Sequence, residues 1–436
     1  MSTTVRLLTL TLLASATALA DEAPPGDAAA LAAEVAAPVL AWRRDLHEHP
    51  ELGNREFRTA KLVADHLRGL GLEVRTGIAH TGVVGILRGG RPGPRLALRA
   101  DMDALPVTER VDLPFASRVV AEYRGQQTGV MHACGHDTHT AILMGVAQAL
   151  ASIRGKLPGE VMFIFQPAEE GAPDGEDGGA AMMLAEGLFQ DFTPDAVLGL
   201  HVIAGMPSDT IATRAGPFMA AGDSFSIRVI GRQSHGSRPW SGIDPIVAAA
   251  EIITSAQTVV SRQVDLTRAP VVLSFGAIHG GIRSNIIPDS VELIGTIRTF
   301  EPDMRDKVFA GLKSVAEHVA AAHGARVETK IPDEQGYPVT RNDPALTARL
   351  RPSLARAAGG RLIEIPPITG SEDFSFYGQH APALFFFVGA TPPGPDAASA
   401  PTNHSPEFFV DEAALPLGTR ALLQASLDFL AGAGTD

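Results

Sequence analysis

The sequence predicts an α/β fold in which helices cover a mostly parallel sheet. Two observations support this class: short apolar runs typical of buried strands alternate with helical stretches, and the alternation changes to a different order between residues 224 and 331. The 436 residues, 45% of them hydrophobic and 19% charged, are enough for two domains with separate cores. We therefore expect a sheet domain interrupted by a smaller one.

The strands of the larger domain are predicted from apolar runs at residues 83–87, 95–99, 160–165, 196–200 and 383–388. Helical periodicity occupies residues 28–47, 56–70, 138–153 and 344–358. Strands that alternate with helices favour parallel pairing, because each parallel connection needs a crossover segment.

The smaller domain is predicted between about Ala220 and Pro332. Its strands are residues 224–230, 271–278, 290–299 and 326–331, and its helices are residues 244–263 and 302–323. The resulting β-α-β-β-α-β order is the ferredoxin-like pattern. The second helix carries an apolar stripe of Met304, Val308, Leu312, Val315 and Val319, spaced to cover one face of a sheet. We expect an insertion at 220–332 within a discontinuous domain made of residues 21–219 and 333–436.

The first 20 residues have the pattern of an export signal. Arg6 precedes an apolar stretch that is too short to span a bilayer, and small residues end at Ala20. We expect cleavage near Ala20, a periplasmic or secreted protein, and no membrane span. The net charge of −13, without any basic run, argues against nucleic acid as a partner.

Cys134, the single cysteine of the chain, lies in a run rich in metal-liganding side chains that also contains His136. A thiolate and an imidazole two residues apart can reach the same cations if Gly135 permits a tight turn. Two alternatives remain open at this point. Cys134 could be a nucleophile with His136 as its base, or a small buried apolar residue.

Other polar residues follow the predicted strands at their carboxyl ends. They are Asp101, Asp103, Glu169, Glu170, His201 and, after the last strand, His404. Ligands bind at this edge of open α/β sheets, so residues far apart in sequence are expected to meet in one crevice.

Glu169 and Glu170 follow an almost wholly apolar strand, which a plain surface turn would not require. Adjacent side chains on extended backbone point in opposite directions. We therefore expect one carboxylate to coordinate metal and its neighbour to act as general base toward water.

The chain contains six motifs in a characteristic order: RRDLHEHPEL (43–52), RADMDALP (99–106), HACGHD (132–137), FQPAEEG (165–171), GLH (199–201) and SEDF (371–374). In these it resembles the aminoacylase/carboxypeptidase metallopeptidase family, in its branch of hippurate hydrolases and indoleacetyl-amino-acid amidohydrolases. The resemblance covers nearly the whole chain after residue 20. It implies a dinuclear metallopeptidase catalytic domain and an inserted domain that serves as lid and dimerisation surface.

The resemblance also implies specific roles. Two divalent metal ions per subunit would be held by Cys134, His136, Glu170, His201 and His404, with Glu169 as the base. The ligand chemistry is consistent with Zn, Mn, Co or Ni. Asp101 and Asp103 are expected to support the ligands, for example by orienting His136.

Substrate contacts are expected from the inserted domain. The resemblance maps His235 onto a histidine that reaches the partner subunit's active site and stabilises the oxyanion, and it maps Asn285 and Arg298 onto residues that hold the substrate's carboxylate or carbonyl. The guanidinium of Arg298 suits a planar carboxylate. The expected substrates are N-acyl amino acids, with a carboxypeptidase for small peptides as the alternative. A ligand-binding protein without catalysis is a further alternative, but it would not require Glu169.

Two features depart from the family pattern. Residues 171–179 contain an acidic insertion of Asp174, Glu176 and Asp177 beside the expected site, which could alter substrate preference. Trp240 follows His235 in a segment where the branch more often has a small or polar residue. One expectation is that its side chain adds an aromatic wall to the site.

Overall fold

The structure is a computed structural model that describes residues 25–333 and 335–432, so the expected signal segment lies outside the described residues. The α-helices in this part of the chain are α1 Ala28–Glu48, α2 Phe57–Gly69, α3 His136–Ser152, α4 Gly179–Ala185, α5 Pro245–Thr258, α6 Pro302–Ala322, α7 Pro344–Ala357 and α8 Ala414–Leu430. Among them, no helix combines the length and apolar character needed to cross a membrane.

The strands in the same residues form two main sheets and three short two-stranded pairs. They are β1 Glu73–Ile78, β2 Gly82–Arg88, β3 Arg91–Asp101, β4 Val120–Tyr123, β5 Gln126–Gly129, β6 Pro158–Gln166, β7 Ala196–Pro207, β8 Ile211–Thr213, β9 Gly216–Met219, β10 Ala221–Ile230, β11 Ser234–His235, β12 Val272–His279, β13 Ile286–Ile287, β14 Ser290–Thr299, β15 Arg326–Lys330, β16 Thr340–Asn342, β17 Leu362–Glu364 and β18 Ala383–Thr391.

The larger sheet has the order β1-β2-β6-β3-β7-β18-β8-β17. The central pairs β6–β3, β3–β7 and β7–β18 are parallel, whereas β1–β2 and β2–β6 are antiparallel. The predicted α/β class with a mostly parallel sheet is thereby confirmed.

Helices cover both faces of this sheet. On one face α1, α3, α7 and α8 pack into a continuous apolar core, and on the other a smaller core includes α4 and the segment around Phe374. Helix α3 is buried on nearly all sides, since its residues from His136 to Val146 have little contact with solvent. Polar residues at the start of α3 therefore lie inside the protein, where they need defined partners.

The second sheet contains β12, β14, β10 and β15 in that order, all antiparallel, and it packs against α5 and α6. The element order in the chain is the predicted β-α-β-β-α-β. Met304, Val308 and Leu312 of the predicted stripe are fully buried. The exact domain boundaries at 220 and 332 stay a prediction.

Three local expectations were wrong. Strand β7 continues to Pro207, so His201 lies within the strand instead of closing it, because β18 continues to pair with β7 after β3 has ended. Helix α3 begins at His136, not at Thr138. The α-helix from Pro245 ends at Thr258 and is followed by a π-turn at Val259–Gln263.

Candidate active site

The polar residues at the strand ends do meet in one crevice. A cavity of about 400 Å³ lies beside the carboxyl ends of β3 and β6 and the exposed half of β7. Its polar lining includes Cys134, Glu169, Glu170, His201, Arg298, Glu372, Asn403 and His404, and its apolar lining includes Ile203, Met219, Ile368 and Phe387. His136 lies directly behind this lining and is fully buried.

Gly135 shapes the turn that presents Cys134 and His136. Its φ of 92° lies in the left-handed region, and a Cβ at this position would overlap with Cγ2 of Val202. The glycine thus lets the turn press against β7, which brings Cys134 Sγ to 3.3 Å from His201 Nε2.

The five expected ligands form overlapping groups whose ligand atoms lie within 4.8 Å of one another. One group is Cys134, His136 and His201, a second is Cys134, Glu170 and His404, and a third is His136, Glu169 and Glu170. Two neighbouring cations could share such an arrangement, since Cys134 and Glu170 each belong to more than one group.

Buried atoms without partners show that these residues fit a metal. His136 Nδ1 lies 3.2 Å from a carboxylate oxygen of Asp103, while its Nε2 has no hydrogen-bond partner among the described residues. His201 Nδ1 donates to the carbonyl of Val202, which leaves Nε2 unprotonated. The orientation of a metal-binding histidine is commonly fixed in this way by a bond to its other ring nitrogen.

The electrostatics of the site also favour cations. Burial opposes a charge on His136, but Asp101, Asp103 and Glu170 raise its pKa to about 10. Burial raises the pKa of the Cys134 thiol well above its ordinary value, and Glu170 and Glu169 add to this. Burial also holds the pKa of His201 well below its ordinary value. The buried carboxylates that raise the pKa values of His136 and Cys134 give this region an excess of negative charge, which a bound cation would neutralise.

His139 lies in the same cluster but is not free to bind metal. Its Nε2 accepts the backbone N–H of Val202, so Nδ1 carries the proton and donates to Asp101 at 2.6 Å. Both ring nitrogens are thus engaged. His132 is buried, burial lowers its pKa to about 4, and it is not part of any ligand group in the described residues.

Asp101 and Asp103 lie where supporting residues were expected. Asp103 contacts His136 Nδ1 and also accepts the backbone N–H of Glu170 at 3.0 Å. Asp101 accepts from His139 and from Arg99 at 2.7 Å. Asp103 thus joins the start of α3 to the backbone of Glu170, and Asp101 joins α3 to Arg99 of β3.

Glu169 and Glu170 do not alternate on extended backbone, contrary to the expectation. Ala168 has a φ of 50°, and the segment turns so that both carboxylates line the same cavity. Burial and the neighbouring carboxylate of Glu372 raise the pKa of Glu169 well above its ordinary value. A buried carboxylate with a raised pKa is suited to accept a proton and pass it on.

Sequence analysis missed a buried network behind Glu169. Arg99 donates to Gln166, Asp101, Glu372 and Asp373 at 2.7–2.9 Å, and it has almost no exposed surface. The motifs RADMDALP, FQPAEEG and SEDF contain these residues, but nothing in the sequence pairs one motif with another. The network anchors the loop of Ser371 and Glu372 that lines the cavity.

The expected substrate contacts separate into two groups. Arg298 lines the cavity and donates to Ser371 Oγ at 2.5 Å, and it has no ion pair with a described carboxylate. His235 lies in β11 and Asn285 directly precedes β13, where Gly236 N–H donates to the carbonyl of Asn285. Neither side chain lines the cavity of its own subunit.

The structure also shows where the acidic insertion and Trp240, the two departures from the family pattern, lie. In the acidic insertion, Glu176 pairs with Arg55 at 2.6 Å and Asp174 with Arg124 at 2.7 Å, beside a neighbouring cavity that Asp103 and Glu170 also line. Trp240 is 79% exposed and does not line the cavity of its own subunit, so it forms no aromatic wall there.

Comparison with known proteins is consistent with this geometry. Residues 97–428 match the model of "Peptidase family M20/M25/M40". The chain is 41% identical to thermostable carboxypeptidase 2 of Saccharolobus solfataricus over 90% of this chain and 95% of the relative. It is 38% identical to an IAA-amino acid hydrolase of Arabidopsis thaliana, with 88% and 83% covered.

A solved structure supports the same relationship. The structure of a Bacillus subtilis protein, described as a dinuclear metal binding peptidase from the M20 family, has a TM-score of 0.74 and 34% identity, and the match covers 91% of this chain and 99% of that one. The predicted family is confirmed: the chain belongs to peptidase family M20/M25/M40.

Proposed function

We propose that the protein is a metal-dependent amidohydrolase that releases amino acids from N-acyl amino acids. Its family makes it an enzyme that hydrolyses amide bonds. The substrate class is supported by one observation above all: a single cavity is lined by four of the five proposed ligands, by the buried carboxylate of Glu169 and by the guanidinium of Arg298, which has no ion pair with any carboxylate in the described residues.

Cys134, His136, Glu170, His201 and His404 would hold two divalent cations. When bound, these cations polarise the scissile carbonyl and make water a stronger acid. Thiolate, imidazole and carboxylate together suit Zn, Mn, Co or Ni. Asp103 would hold the proton on Nδ1 of His136 and so leave Nε2 free to bind a cation.

Glu169 would act as general base and then as general acid. Its carboxylate accepts a proton from water as the water attacks the amide carbon, and it returns that proton to the departing amine nitrogen as the C–N bond breaks. Arg298 would bind both oxygens of the substrate carboxylate. The apolar wall of Ile203, Met219 and Phe387 would contact the remainder of the substrate.

We further propose a homodimer in which His235 and Asn285 act on the partner's site. Both lie outside their own cavity, on the unit formed by the second sheet. Exposed apolar side chains on the same unit, Trp240, Ile282, Ile246 and Val247, would be covered by the partner. Export, with removal of residues 1–20, is part of the proposal.

A carboxypeptidase acting on small peptides is the second candidate. The carboxylate of a peptide's C-terminus would fit Arg298 as well as that of an acylated amino acid, and the relative from Saccharolobus solfataricus bears that name.

Hydrolysis assays on the chain from residue 21 test these proposals. The panel contains N-acetyl, N-benzoyl and N-indoleacetyl amino acids together with dipeptides, before chelation, after it, and after addition of Mn, Co, Ni or Zn. We expect release of amino acid from the acylated substrates, lost on chelation and restored by metal. Preference for dipeptides would favour the carboxypeptidase, and no release under any condition would reject both.

The Glu169→Gln variant tests the assigned base. We expect metal content to be retained and turnover to fall by a factor of about 100 or more. Glu364→Gln, on the exposed strand β17, is the control and should keep full activity. Normal turnover of Glu169→Gln would remove Glu169 from the mechanism.

A further inference from the structure

The turn that carries Glu169 is held by side chains from three separate segments. Glu56, which precedes α2, accepts the N–H of Ala168 at 2.9 Å. Asp103, which follows β3, accepts the N–H of Glu170 at 3.0 Å. Between these two contacts, the hydroxyl of Tyr337 donates to the carbonyl of Glu169 itself at 2.8 Å.

This turn needs external support. Ala168 has a φ of 50°, a conformation that costs energy for any residue with a Cβ and persists only where the surroundings impose it. A backbone bond lies across the turn from Gly171 N–H to Ala168 C=O, but it is long, at 3.4 Å. The three side-chain contacts therefore fix the direction in which the Glu169 carboxylate points.

Tyr337 differs from the other two because of where it lies in the chain. It belongs to the segment that returns from the second sheet to the larger one, after β15. Its backbone N–H and C=O pair with those of Gly222, near the start of β10, at 2.8 and 3.0 Å. Both connections between the two sheets thus meet at Tyr337, and its side chain lines the active-site cavity.

Gly222 makes this junction tight. A Cβ at Gly222 would overlap with Arg298 and with Ser371 Oγ, so the strand that leads into the second sheet passes directly beside the proposed carboxylate-binding group. A rotation of the second sheet about these connections would move Gly222 and Tyr337 together.

We propose that Tyr337 is a positioning residue that sets the orientation of Glu169 and couples it to the connection between the two sheets. This inference rests on the proposed role of Glu169 as base. The Tyr337 hydroxyl thereby ties the backbone of Glu169 to the segment that leaves the second sheet.

The Tyr337→Phe variant tests the inference. It removes only the hydroxyl, while the ring, its contact with Phe376 and the backbone pairing with Gly222 remain, so folding and metal content should be retained. We expect kcat to fall roughly tenfold to a hundredfold with KM unchanged, because a small misplacement of a catalytic group is costly. Tyr123→Phe, at a half-exposed tyrosine of β4, is the matched control and should behave as wild type.

A double-mutant cycle with Glu169→Asp separates positioning from other effects. Asp keeps a carboxylate but shortens its reach. If Tyr337 acts through residue 169, the loss in kcat for the double variant is smaller than the product of the two single losses. Independent, multiplicative losses, a change confined to KM, or wild-type kcat in Tyr337→Phe would overturn the inference.

Failure of the proposed function gives a different pattern. If Glu169→Gln keeps normal turnover, the base is wrongly assigned and this inference fails with it. If Glu169→Gln is inactive but Tyr337→Phe has normal kcat, only the positioning role is rejected.

Discussion

Gly135 determines how Cys134 and His136, two of the proposed metal ligands, are presented to the site. Its positive φ turns the chain between Cys134 and the first residue of α3, and the space a side chain would need is taken by Val202. Because Val202 directly follows His201 in β7, a shift there would also displace a third proposed ligand.

Gly135→Ala should therefore lower both stability and metal content. We expect the free energy of unfolding to fall by about 1–3 kcal/mol from overpacking, with added backbone strain. Gly125→Ala is the matched control, since Gly125 also has a positive φ but no atom would lie within 4 Å of its Cβ. Urea unfolding and metal analysis of both variants measure the difference, and equal losses would contradict the role of Val202.

At the residue level, strand-end reasoning and motif order placed Cys134, Glu170, His201 and His404 in one cluster, and the structure brings them together. The orientation of Glu169 could not be predicted in the same way. The φ of Ala168 depends on Glu56 and Tyr337, which are remote in sequence and carry no local signal for this turn.

Helices α1 and α3 are joined by a buried polar network. His47 of α1 contacts Asp137 of α3 at 2.8 Å and Glu109 at 3.1 Å, and Arg43 lies 3.1 Å from Asp137. Burial and Arg43 lower the pKa of His47, but Asp137 and the hydrogen bonds to Asp137 and Glu109 outweigh them, so its pKa is raised. The charged form of His47 thus stabilises the folded protein.

This network predicts a pH-dependent effect of His47→Gln. With a folded-state pKa above the unfolded value of about 6.5, the contribution of His47 is complete below that value and disappears as pH rises through the folded-state pKa. We expect a loss of about 1–3 kcal/mol in unfolding free energy at pH 6 and a smaller loss at alkaline pH. His49→Gln, at the exposed end of the same helix, is the control. A loss for His47→Gln that grows with pH would contradict the assignment.

Strand β3 and the 3₁₀ segment Asp373–Gln379 are joined by Arg99. Arg99→Met would leave the carboxylates of Asp101, Glu372 and Asp373 buried without their cation, and we expect a loss of about 3–5 kcal/mol. Arg95→Met, at another position on β3, removes an exposed ion pair with Glu160 of β6. It should lower the free energy of unfolding by about 1 kcal/mol or less. Chemical unfolding compares the two, and similar small losses would show that the buried network is dispensable.

The elements that periodicity predicted are present, including all six of the second sheet unit, whereas α4 and short strands such as β1, β8 and β17 were not predicted. Helix α8 was not predicted, because Pro416 and Gly418, residue types with low helix propensity, lie near its start. Its formation depends on burial against α1 and α3, which local propensity does not report.

For the whole molecule, the proposed dimer makes a prediction that mixing can test. His235→Ala and Glu169→Gln should each be inactive as homodimers. In a refolded equal mixture, a mixed dimer contains one site with an intact Glu169 and an intact partner His235, so about a quarter of all sites should recover. If His235 acts within its own chain, or not at all, the mixture will show no more activity than the two homodimeric variants show separately.

The order of the ligands along the chain has a further consequence. Cys134 and His136 come early, but His404 comes only after the entire second sheet, close to the end of the sequence. With these residues as the proposed ligands, a chain still in synthesis lacks part of the coordination sphere until the segment after β18 has emerged. Binding of both cations would therefore follow synthesis of the second sheet unit.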